Sequence, residues 1–424
     1  MRNNFFDHLV LLIGTNPLPN FVVADYMLQN NPKIEKIWLV HSEKNNYQAG
    51  TKKEAERLEA LLKERWKNHP NLKFPLETIH LSDVSNSDSI QTDINQQMIR
   101  EFKNNKSIHL NYTGGTKSMS THVYWVLKEN VKSQKQFSYL DARTFRLISD
   151  ESGVLESDLR KKVTLSFDEM IRLHGFERKN EPKDFLFSDA LKIFQKCMKN
   201  NQLNEFSNEC GYNRELFLDS KGKLVEKLSK LSEQCLKHLK EFRPNQLMMA
   251  VINKMPEEYR LFDMNARFNE NLPNKKFKTA VKFFDGEWLE YHCANVLQDH
   301  LTNDKIRTEQ NWVIKKPDWT GDLDFELDVV LINGYQLTGI SCTTDTGKYC
   351  KSKGFEIIHR TRQIGGDESK AVLLTRMKDK TRDLVQKELE YETGGNQGNI
   401  LVLGEKHLTK EILARKIKQF VLYE

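Results

Sequence analysis

The chain has 424 residues, and its 65 Lys and Arg against 59 Asp and Glu give a formal net charge of +6. Only 20 Gly and 10 Pro are present, which excludes collagen-like and low-complexity classes. The longest apolar runs, such as residues 9–13, are far shorter than the ~20 residues of a membrane helix. The composition therefore predicts a soluble protein of two or three domains with no membrane partner.

The six cysteines show no C-x-x-C spacing, which argues against a zinc ribbon or a disulfide framework and predicts a cytoplasmic protein. The charge is distributed unevenly: about +2 over residues 1–156, about +7 over 157–282 and about −3 over 283–424. A basic segment beside an acidic one is a pattern that fits contact with nucleic acid.

Residues 1–150 alternate short apolar strands with amphipathic helices. The pattern predicts strands at residues 9–13, 37–40, 76–81, 107–111 and 136–140, with helices at 20–28, 51–66 and after the fourth strand. Such alternation is typical of a parallel, doubly wound sheet that binds its ligand at the carboxyl ends of the strands.

The remainder of the chain divides into two regions. Residues 185–198, 221–242 and 245–253 have helical spacing and predict a mainly helical connector or insert over 157–279. From residue 280 the pattern predicts a helix at 286–300, a strand pair at 326–332 and 335–341, a further helix, and strands at 371–375 and 400–403. This is the pattern of an α/β domain with a mixed sheet.

Two loops in the first region carry chemical information. Residues 14–20 follow the first strand, and residues 111–120 follow the fourth strand. Their glycines allow close backbone approach, and each loop leads into a helix whose first N–H groups can bind an anion. Lys117 adds a positive charge, yet the spacing is not that of a P-loop. The loops are therefore either a phosphate-binding pocket or ordinary strand-to-helix turns.

These loops resemble those of the CARF domain, the CRISPR-associated Rossmann-like sensor of cyclic oligoadenylate. The resemblance is carried by G-T-N-P-L-P-N at residues 14–20 and N-Y-T-G-G-T-K at 111–117, with residues 163–176 similar to the segment that follows CARF in CARF-domain nucleases. It implies a homodimer that shares one ring-shaped activator, usually cyclic tetra-adenylate. It also implies ligand contacts from Thr15, Asn16, Pro17, Asn20, Thr113, Gly114, Gly115, Thr116 and Lys117.

Four further polar residues follow strands of the same predicted sheet. His41 and Ser42 come after the second strand and are candidate adenine or ribose contacts. Asp141 and Arg143 come after the fifth strand and could contact the ligand or the second subunit. The alternative for each of the four is a solvated polar side chain in a loop.

The third region contains an acidic stretch at residues 322–331. Strand alternation predicts Asp324, Glu326 and Asp328 on one face, opposite Leu327, Val329 and Leu331, with a hairpin turn at Asn333-Gly334. Clustered carboxylates can hold the Mg²⁺ or Mn²⁺ that phosphodiester cleavage requires. The preceding helix carries Glu287, Glu290 and His292, which taken alone are typical of a solvated helix face.

Together these segments resemble the PD-(D/E)XK nuclease fold in the form attached to CARF domains. Trp288-Leu289-Glu290 is similar to its helix motif, Glu326-Leu327-Asp328-Val329 to its E-x-D-V strand, and residues 362–366 to a downstream segment. The resemblance implies Glu290 and Asp328 as metal ligands.

The third motif of that fold, E-x-K, reads Ser341-Cys342-Thr343 in this chain. We expect Ser341 to act as a weak ligand, the Cys342 carbonyl as a further metal ligand, and a lysine from another position to replace the missing charge. Lys348, Lys351 and Lys353 are the candidates, with Lys353 preferred because it leads into the following helix.

The sequence thus predicts an N-terminal Rossmann-like CARF domain (1–156), a helical connector (157–279) and a C-terminal PD-(D/E)XK-like domain (280–424). The expected function is a cyclic-oligoadenylate-activated, metal-dependent nuclease that cleaves DNA or RNA in type III CRISPR defence. The basic run of Lys275, Lys276 and Lys278, with Lys282 beyond it, is either a set of phosphate contacts or a solvated helix face. Two alternatives remain: a ligand-gated binding protein with a catalytically silent nuclease fold, and a slow ring nuclease in which Lys117 acts on the bound activator.

Overall fold

The apolar runs of the sequence assemble into two separate sheets, each with helices on both faces. The computed structural model describes residues 5–46, 49–104, 106–181, 185–206, 212–219, 223–317, 324–347, 349–394 and 398–422. The predicted α/β class, with an N-terminal Rossmann-like unit and a mixed C-terminal sheet, is confirmed. Within the described residues, no helix has both the length and the apolarity needed to cross a bilayer.

The first sheet has the strand order β3-β2-β1-β4-β5-β6-β7. Its strands are β1 (His8–Leu12), β2 (Lys36–Ser42), β3 (Glu77–Leu81), β4 (Ile108–Asn111), β5 (Lys135–Asp141), β6 (Arg146–Ser149) and β7 (Gly153–Glu156). The five predicted strands are parallel, as expected, and β6 and β7 extend the sheet in antiparallel orientation. The sequence did not reveal β6 and β7 because each has four residues and little continuous apolar character.

Helices cover both faces of the first sheet. They are α1 (Leu18–Asn30), α2 (Lys52–Trp66), α3 (Ser87–Gln97) and α4 (Lys117–Asn130). Alternate residues of β1 point to opposite faces, so that Leu9 packs with Phe21 of α1 and Val10 packs with Val123 of α4. Both ligand-loop candidates therefore emerge from strands that are buried on two sides.

The connector contains mostly helices. The structure shows α5 (Phe167–Leu173), the short strand β8 (Glu177–Arg178), α6 (Ser188–Lys199), α7 (Leu203–Phe206), α8 (Glu233–Glu241), α9 (Gln246–Lys254) and α10 (Asn274–Lys282). The single helix predicted over 221–242 is wrong over its first half. Leu224 forms a bridge with Leu218, and α8 begins only after Ser232, whose hydroxyl accepts the Cys235 N–H and caps the helix.

The second sheet has the order β13-β12-β11-β10-β9-β8. Its elements after β8 are α11 (Trp288–His300), β9 (Ile306–Lys315), β10 (Asp324–Asn333), β11 (Gln336–Cys342), α12 (Tyr349–Gly365), β12 (Lys370–Leu374), α13 (Asp379–Glu392), β13 (Ile400–Leu403) and α14 (Lys410–Leu422). Strands β8 to β11 are antiparallel and β11 to β13 are parallel, which confirms the mixed sheet. The connector packs on one face, where Phe194 stacks on Trp288 with ring centroids 4.5 Å apart.

The predicted hairpin joins β10 and β11, with Asn333 paired to Gln336. The predicted alternation along β10 is only partly correct, because Leu327 packs on the α12 side of the sheet while Val329 and Leu331 pack on the α11 side. The change of face falls at Asp328. Asn311 stands opposite it on β9, between the Leu327–Trp312 and Val329–Gln310 pairs, and has a φ of +54° that distorts the local pairing.

The hairpin turn also contacts the first unit. The Leu165 N–H donates to the Gly334 carbonyl at 3.0 Å, and Arg160 Nη1 donates to Gln336 Oε1 at 2.9 Å. Strand β11 therefore begins against the N-terminal unit and ends at Ser341 and Cys342.

Candidate functional site

The two candidate ligand loops meet at the edge of the first sheet. Because β1 and β4 are adjacent and parallel, their carboxyl ends lie side by side. A Cβ built on Gly14 would lie 3.0 Å from the Gly115 nitrogen, so the loops are in direct contact. Thr116 caps α4 by accepting the Met119 N–H at 3.1 Å, which places Lys117 in the first turn of that helix. The N–H groups and the lysine together can bind a phosphate.

Asn20 lies beneath the contact between the loops. Its side chain is buried, and its Nδ2 donates to the Leu12 carbonyl at 2.9 Å. Its Oδ1 has no hydrogen-bond partner within the described part of the chain. A Cβ on Gly114 would lie 2.8 Å from this oxygen and 2.1 Å from the Leu12 carbonyl, so only glycine fits at position 114. Asn20 thus connects the end of β1 to the loop that contains Gly114.

Thr113 is also held from within the protein. Its hydroxyl donates to Asn111 Oδ1 at 2.8 Å and accepts the Leu140 N–H at 2.7 Å. Thr15, by contrast, is exposed at the rim, and Pro17 precedes α1 directly. The predicted ligand residues therefore lie together, although the side chains of Asn20 and Thr113 form hydrogen bonds to the backbone within the protein.

Asn16 connects the first loop to the C-terminal half of the chain. Its Oδ1 accepts the Leu18 N–H at 3.0 Å and lies 3.0 Å from His174 Nε2. A Cβ on Gly366 would lie 2.2 Å from Asn16 Nδ2 and 2.8 Å from Glu368 Oε2. No local pattern in the sequence indicates this contact, because Asn16, His174 and Gly366 lie in distant segments.

His41 and Ser42 occupy different environments. Ser42 is buried, and its N–H donates to Thr51 Oγ1 at 3.0 Å, so its backbone contributes to the fold. His41 lines a cavity of about 670 Å³ together with His80, Lys44 and Lys52, and burial lowers its pKa. Outside this cavity, the Asp141 carboxylate accepts the Arg143 N–H at 3.2 Å.

The second candidate site is centred on Asp328. Its Oδ2 accepts the Cys342 N–H at 2.7 Å and the Ser341 hydroxyl at 3.3 Å, so β10 and β11 hold the carboxylate between them. Burial raises the pKa of Asp328 to about 6, and the charge of Glu326 adds to the shift. Burial also raises the pKa of Glu290 on α11, and the charge of Asp328 raises it further. The predicted pair of carboxylates is thus brought together.

Helix α12 completes this site. Lys353, Glu356 and Arg360 line a small cavity of about 120 Å³ with Glu326, Asp328 and Ser341. Lys353 Nζ lies 3.0 Å from Glu356 Oε2. Lys351 points elsewhere, since it pairs with Glu388 and Glu392 of α13, and Lys348 lies outside the described residues, as does Asp322 of the acidic stretch. Of the two described candidates, Lys353 alone lines this cavity.

Glu356 and Arg360 were not identified from the sequence. Their spacing from Lys353 places all three on one helix face, a signal that could have found them. The same spacing is typical of any solvated charged helix. It indicates a site only once the structure shows that this face of α12 lies against Asp328.

Glu290 and Asp328 offer two carboxylates that could bind a divalent cation. The pKa values of both carboxylates are raised by burial, and that of Glu290 also by the charge of Asp328, so a bound cation would stabilise their ionised forms. Mg²⁺ commonly binds one or two carboxylates plus water and phosphate. Over the described ranges, however, no group of three or more His, Cys, Asp or Glu side chains is placed to hold a metal. His292 does not contribute, because its Nε2 lies 2.6 Å from the Leu408 carbonyl and burial lowers its pKa to about 4.

The N-terminal sheet and its loop pair are similar to a known family of domains. Residues 8–166 match the family model described as the Card1 CARF domain. No curated protein is similar enough in sequence to match the chain.

Solved structures are similar over almost the whole chain. Can2 from Sulfobacillus thermosulfidooxidans, in complex with cyclic tetra-adenylate, has a TM-score of 0.62 at 16% identity and covers 96% of this chain and 98% of its own. Protein VC1899 from Vibrio cholerae has a TM-score of 0.64 at 15% identity, with 98% of both chains covered. A type III CRISPR defence DNA nuclease activated by cyclic oligoadenylate has a TM-score of 0.50 at 13% identity, covering 88% of this chain and 46% of that one. At these identities the likeness establishes the shared fold.

Proposed function

We propose that the protein is a cyclic-oligoadenylate-activated, metal-dependent nuclease of type III CRISPR defence. One observation carries the proposal: the chain contains both a CARF-type loop pair and a pair of buried carboxylates, Glu290 and Asp328, with Lys353 beside Asp328. Elements β11 and α12 extend from one of these sites to the other. The likeness to Can2 and to a cyclic-oligoadenylate-activated DNA nuclease supports it at the level of the fold.

At the CARF pocket, the proposed ligand is cyclic tetra-adenylate shared by two copies of the chain. Lys117 and the first N–H groups of α4 bind a ring phosphate, because a helix N-terminus and a cation both favour an anion. Asn16, Asn20, Thr113 and the glycine backbone shape the floor on which the ring rests.

At the nuclease-like site, a divalent cation would supply Lewis-acid stabilisation and a nucleophilic hydroxide near neutral pH. Glu290 and Asp328 would hold it, with Ser341 and the Cys342 carbonyl as neutral ligands. The Cys342 N–H orients the Asp328 carboxylate, and Lys353 places its charge where it can stabilise the negative charge that develops on the phosphate. Lys353 is thereby our proposed replacement for the lysine of the missing E-x-K motif.

The direct test is strand cleavage by the full chain. We expect wild type to cleave plasmid, single-stranded DNA or RNA only when cyclic tetra-adenylate and Mn²⁺ or Mg²⁺ are both present. Asp328→Ala should abolish cleavage, whereas Asp299→Ala, which removes an exposed carboxylate from the end of α11, should not. Equal cleavage by Asp328→Ala would show that the site assignment is wrong.

A second candidate is a ligand-gated binding protein with an inert nuclease fold. Two observations favour it: the Ser341-Cys342-Thr343 sequence, and the lack of a three-ligand metal cluster among the residues described. Calorimetric titration of Mn²⁺ separates the two candidates. Binding that is lost in Asp328→Ala supports the enzyme, and the lack of any binding supports the inert fold.

A further inference from the structure

Three cations at one edge of the second sheet are held by aromatic rings. Arg178 Cζ lies 4.0 Å from the Trp312 ring centroid, Arg360 Cζ lies 4.3 Å from that of Phe325, and Lys316 Nζ lies 5.8 Å from that of Phe176. We call Arg178, Lys316 and Arg360 the cation stripe.

The three cations form one continuous feature. Arg178 of β8 pairs with Ile314 of β9, and Ile314 pairs on its other side with Phe325 of β10. With neighbouring strands roughly 4.8 Å apart, the backbones of Arg178 and Phe325 are about 10 Å apart. The Phe176 and Phe325 rings meet edge to face with centroids 5.9 Å apart, which links the position of Lys316 to that of Arg360.

Carboxylates line the cavities at both ends of the stripe, Asp168 and Glu177 at one end and Glu326, Asp328 and Glu356 at the other, but among the described residues they make no direct ion pair with it. Across the described ranges, none of the three cations forms an ion pair with a carboxylate. Arg178 donates to the neutral Asn180 Oδ1 at 3.4 Å, and Arg360 donates to the neutral Gln363 Oε1 at 3.2 Å. The neighbouring lysines differ, because Lys179 pairs with Asp324 at 2.5 Å and Lys315 pairs with Glu177 at 2.7 Å.

An aromatic platform has a specific consequence for a cation. The ring fixes the direction of the cation through its quadrupole and leaves the full positive charge available, whereas a carboxylate would cancel that charge. An arginine held in this way can form two hydrogen bonds to one phosphate. The stripe therefore presents three oriented charges to an anion.

The two ends of the stripe indicate what the anion is. Arg360 lines the 120 Å³ cavity beside Asp328. Arg178 and Phe176 line a shallow cleft of about 510 Å³, whose other charged residues are Arg57, Arg172, Asp168 and Glu177. The small cavity has the volume of about four waters, which admits a phosphate group but not a base pair. A repeating phosphate chain that ends at Asp328 fits this shape.

We propose that the cation stripe binds the sugar–phosphate backbone of a single strand of nucleic acid and leads it to Asp328. The cleavage step rests on the proposed function, but the binding step does not. The stripe makes no contact that would distinguish bases, so binding is independent of sequence. Of the lysines in α10 that the sequence suggested for this task, Lys278 pairs with Glu226 at 2.5 Å and Lys282 lies 4.0 Å from Glu287.

The test measures fluorescence anisotropy of labelled 20-nucleotide DNA and RNA strands, and of a 20-base-pair duplex, with the full chain in a chelating buffer. The triple variant Arg178→Gln, Lys316→Gln, Arg360→Gln should bind the single strands at least tenfold more weakly. Its salt dependence should flatten by about 2 in the slope of log K against log salt, since each phosphate contact contributes about 0.7. Lys316→Gln alone should flatten it by about 0.7.

The matched control is Lys275→Gln, Lys276→Gln, Lys278→Gln, which removes the same number of charges from α10. The proposal is overturned if both triple variants lose affinity equally, if the stripe variant keeps the wild-type slope, or if wild type binds the duplex more tightly than the strands. Unchanged affinity for cyclic tetra-adenylate in the stripe variant shows that it is folded. If wild type binds strands but never cleaves them, only the proposed function is contradicted. If wild type cleaves strands but the stripe variant keeps the wild-type salt dependence of binding, only the role of the cation stripe is contradicted.

Discussion

His174 Nε2 lies 3.0 Å from Asn16 Oδ1, so a buried histidine after α5 contacts a loop that we propose binds the activator. The other ring nitrogen, Nδ1, lies 2.9 Å from the Met170 carbonyl. Burial lowers the pKa of His174 to about 4, so the ring is neutral at physiological pH and has one proton for two oxygen acceptors. The ring can therefore donate to only one of the two oxygens at a time, while Asn16 Oδ1 keeps the Leu18 N–H as a donor.

The other side of Asn16 faces the C-terminal unit that contains the second sheet. Its Nδ2 occupies the space beside Gly366, which follows directly on the last residue of α12. Helix α12 has 17 residues and is therefore about 25 Å long, with Lys353 near its start. If a bound ring displaced Asn16, the C-terminal end of α12 would have to move. The N-terminal part of the same helix lines the Asp328 cavity.

We predict that Gly366→Ala reduces activation by the ring. Gly366 has a φ of +76°, and its new Cβ would lie 2.2 Å from Asn16 Nδ2, so the loop or the turn must move. The expected result is cleavage stimulated at least fivefold less by saturating cyclic tetra-adenylate, measured as the ratio of rates with and without ligand.

Gly153→Ala is the control for backbone strain. Gly153 has a similar φ of +71°, but nothing lies within 4 Å of its Cβ position. The strain of about 1 kcal/mol should lower its stability without changing activation. If both variants lose activation alike, strain rather than the contact with Asn16 is responsible.

We predict that Lys353→Ala lowers the cleavage rate about 100-fold, while Lys351→Ala changes it less than threefold. The two lysines are on the same helix, but only Lys353 lines the cavity with Asp328, whereas Lys351 pairs with α13. Loss of a preorganised charge beside the reacting phosphate commonly costs 10²–10³ in rate. Single-turnover rates with saturating ligand and metal measure the effect, and equal rates in both variants would exclude Lys353 as the replacement lysine.

The sequence predicts most of the fold because the strands of a parallel sheet are continuous apolar runs. Strands β1, β2, β4 and β12 were found on this basis, within a residue or two of their bounds. Strand β9 was missed because residues 307–311 are five consecutive polar residues, and only three residues of the strand are buried. The helix predicted over 221–242 failed because local capping at Ser232 outweighs the periodicity before it.

The candidate site could be predicted only where a motif carries it. Glu290 and Asp328 lie in the segments that the sequence singled out, and the charge of Asp328 raises the pKa of Glu290, which places the two carboxylates near each other. Arg360 depends on Phe325 for its orientation, and these two residues meet only through tertiary packing. The contact between Asn16 and His174 likewise joins segments that no local pattern relates.

We predict that Lys117→Ala weakens cyclic tetra-adenylate binding at least tenfold. Lys117 lies in the first turn of α4, where its charge adds to that of the exposed N–H groups. Lys128→Ala removes an equal charge from the last turn of the same helix and should leave affinity within twofold. Isothermal titration at two salt concentrations measures both, and a Lys117→Ala affinity equal to wild type would place the ring elsewhere.

We predict that Asp328→Asn is more stable than wild type at pH 7.5 in the absence of metal. Burial raises the pKa of Asp328 to about 6, above its ordinary value of 3.8, so between these values the folded state binds protons more tightly than the unfolded state. The free energy of unfolding of wild type therefore falls as pH rises through about 4 to 6 and remains low above it, and the asparagine removes this loss. The expected gain at pH 7.5 is on the order of 1–3 kcal/mol, because each unit of pKa shift corresponds to about 1.4 kcal/mol.

The measurement is thermal unfolding at pH 5 and pH 7.5, with Asp299→Asn as an exposed control that should behave like wild type. Glu290→Gln should show the same direction of change, since burial and the Asp328 charge also raise its pKa. Added Mn²⁺ should then stabilise wild type at pH 7.5 and have little effect on Asp328→Asn, because only wild type offers both carboxylates to the cation. An Asp328→Asn protein that is less stable than wild type at pH 7.5 would mean that the ionised carboxylate supports the fold through its bonds to Ser341 and Cys342, and that the pair is not held ready for a metal.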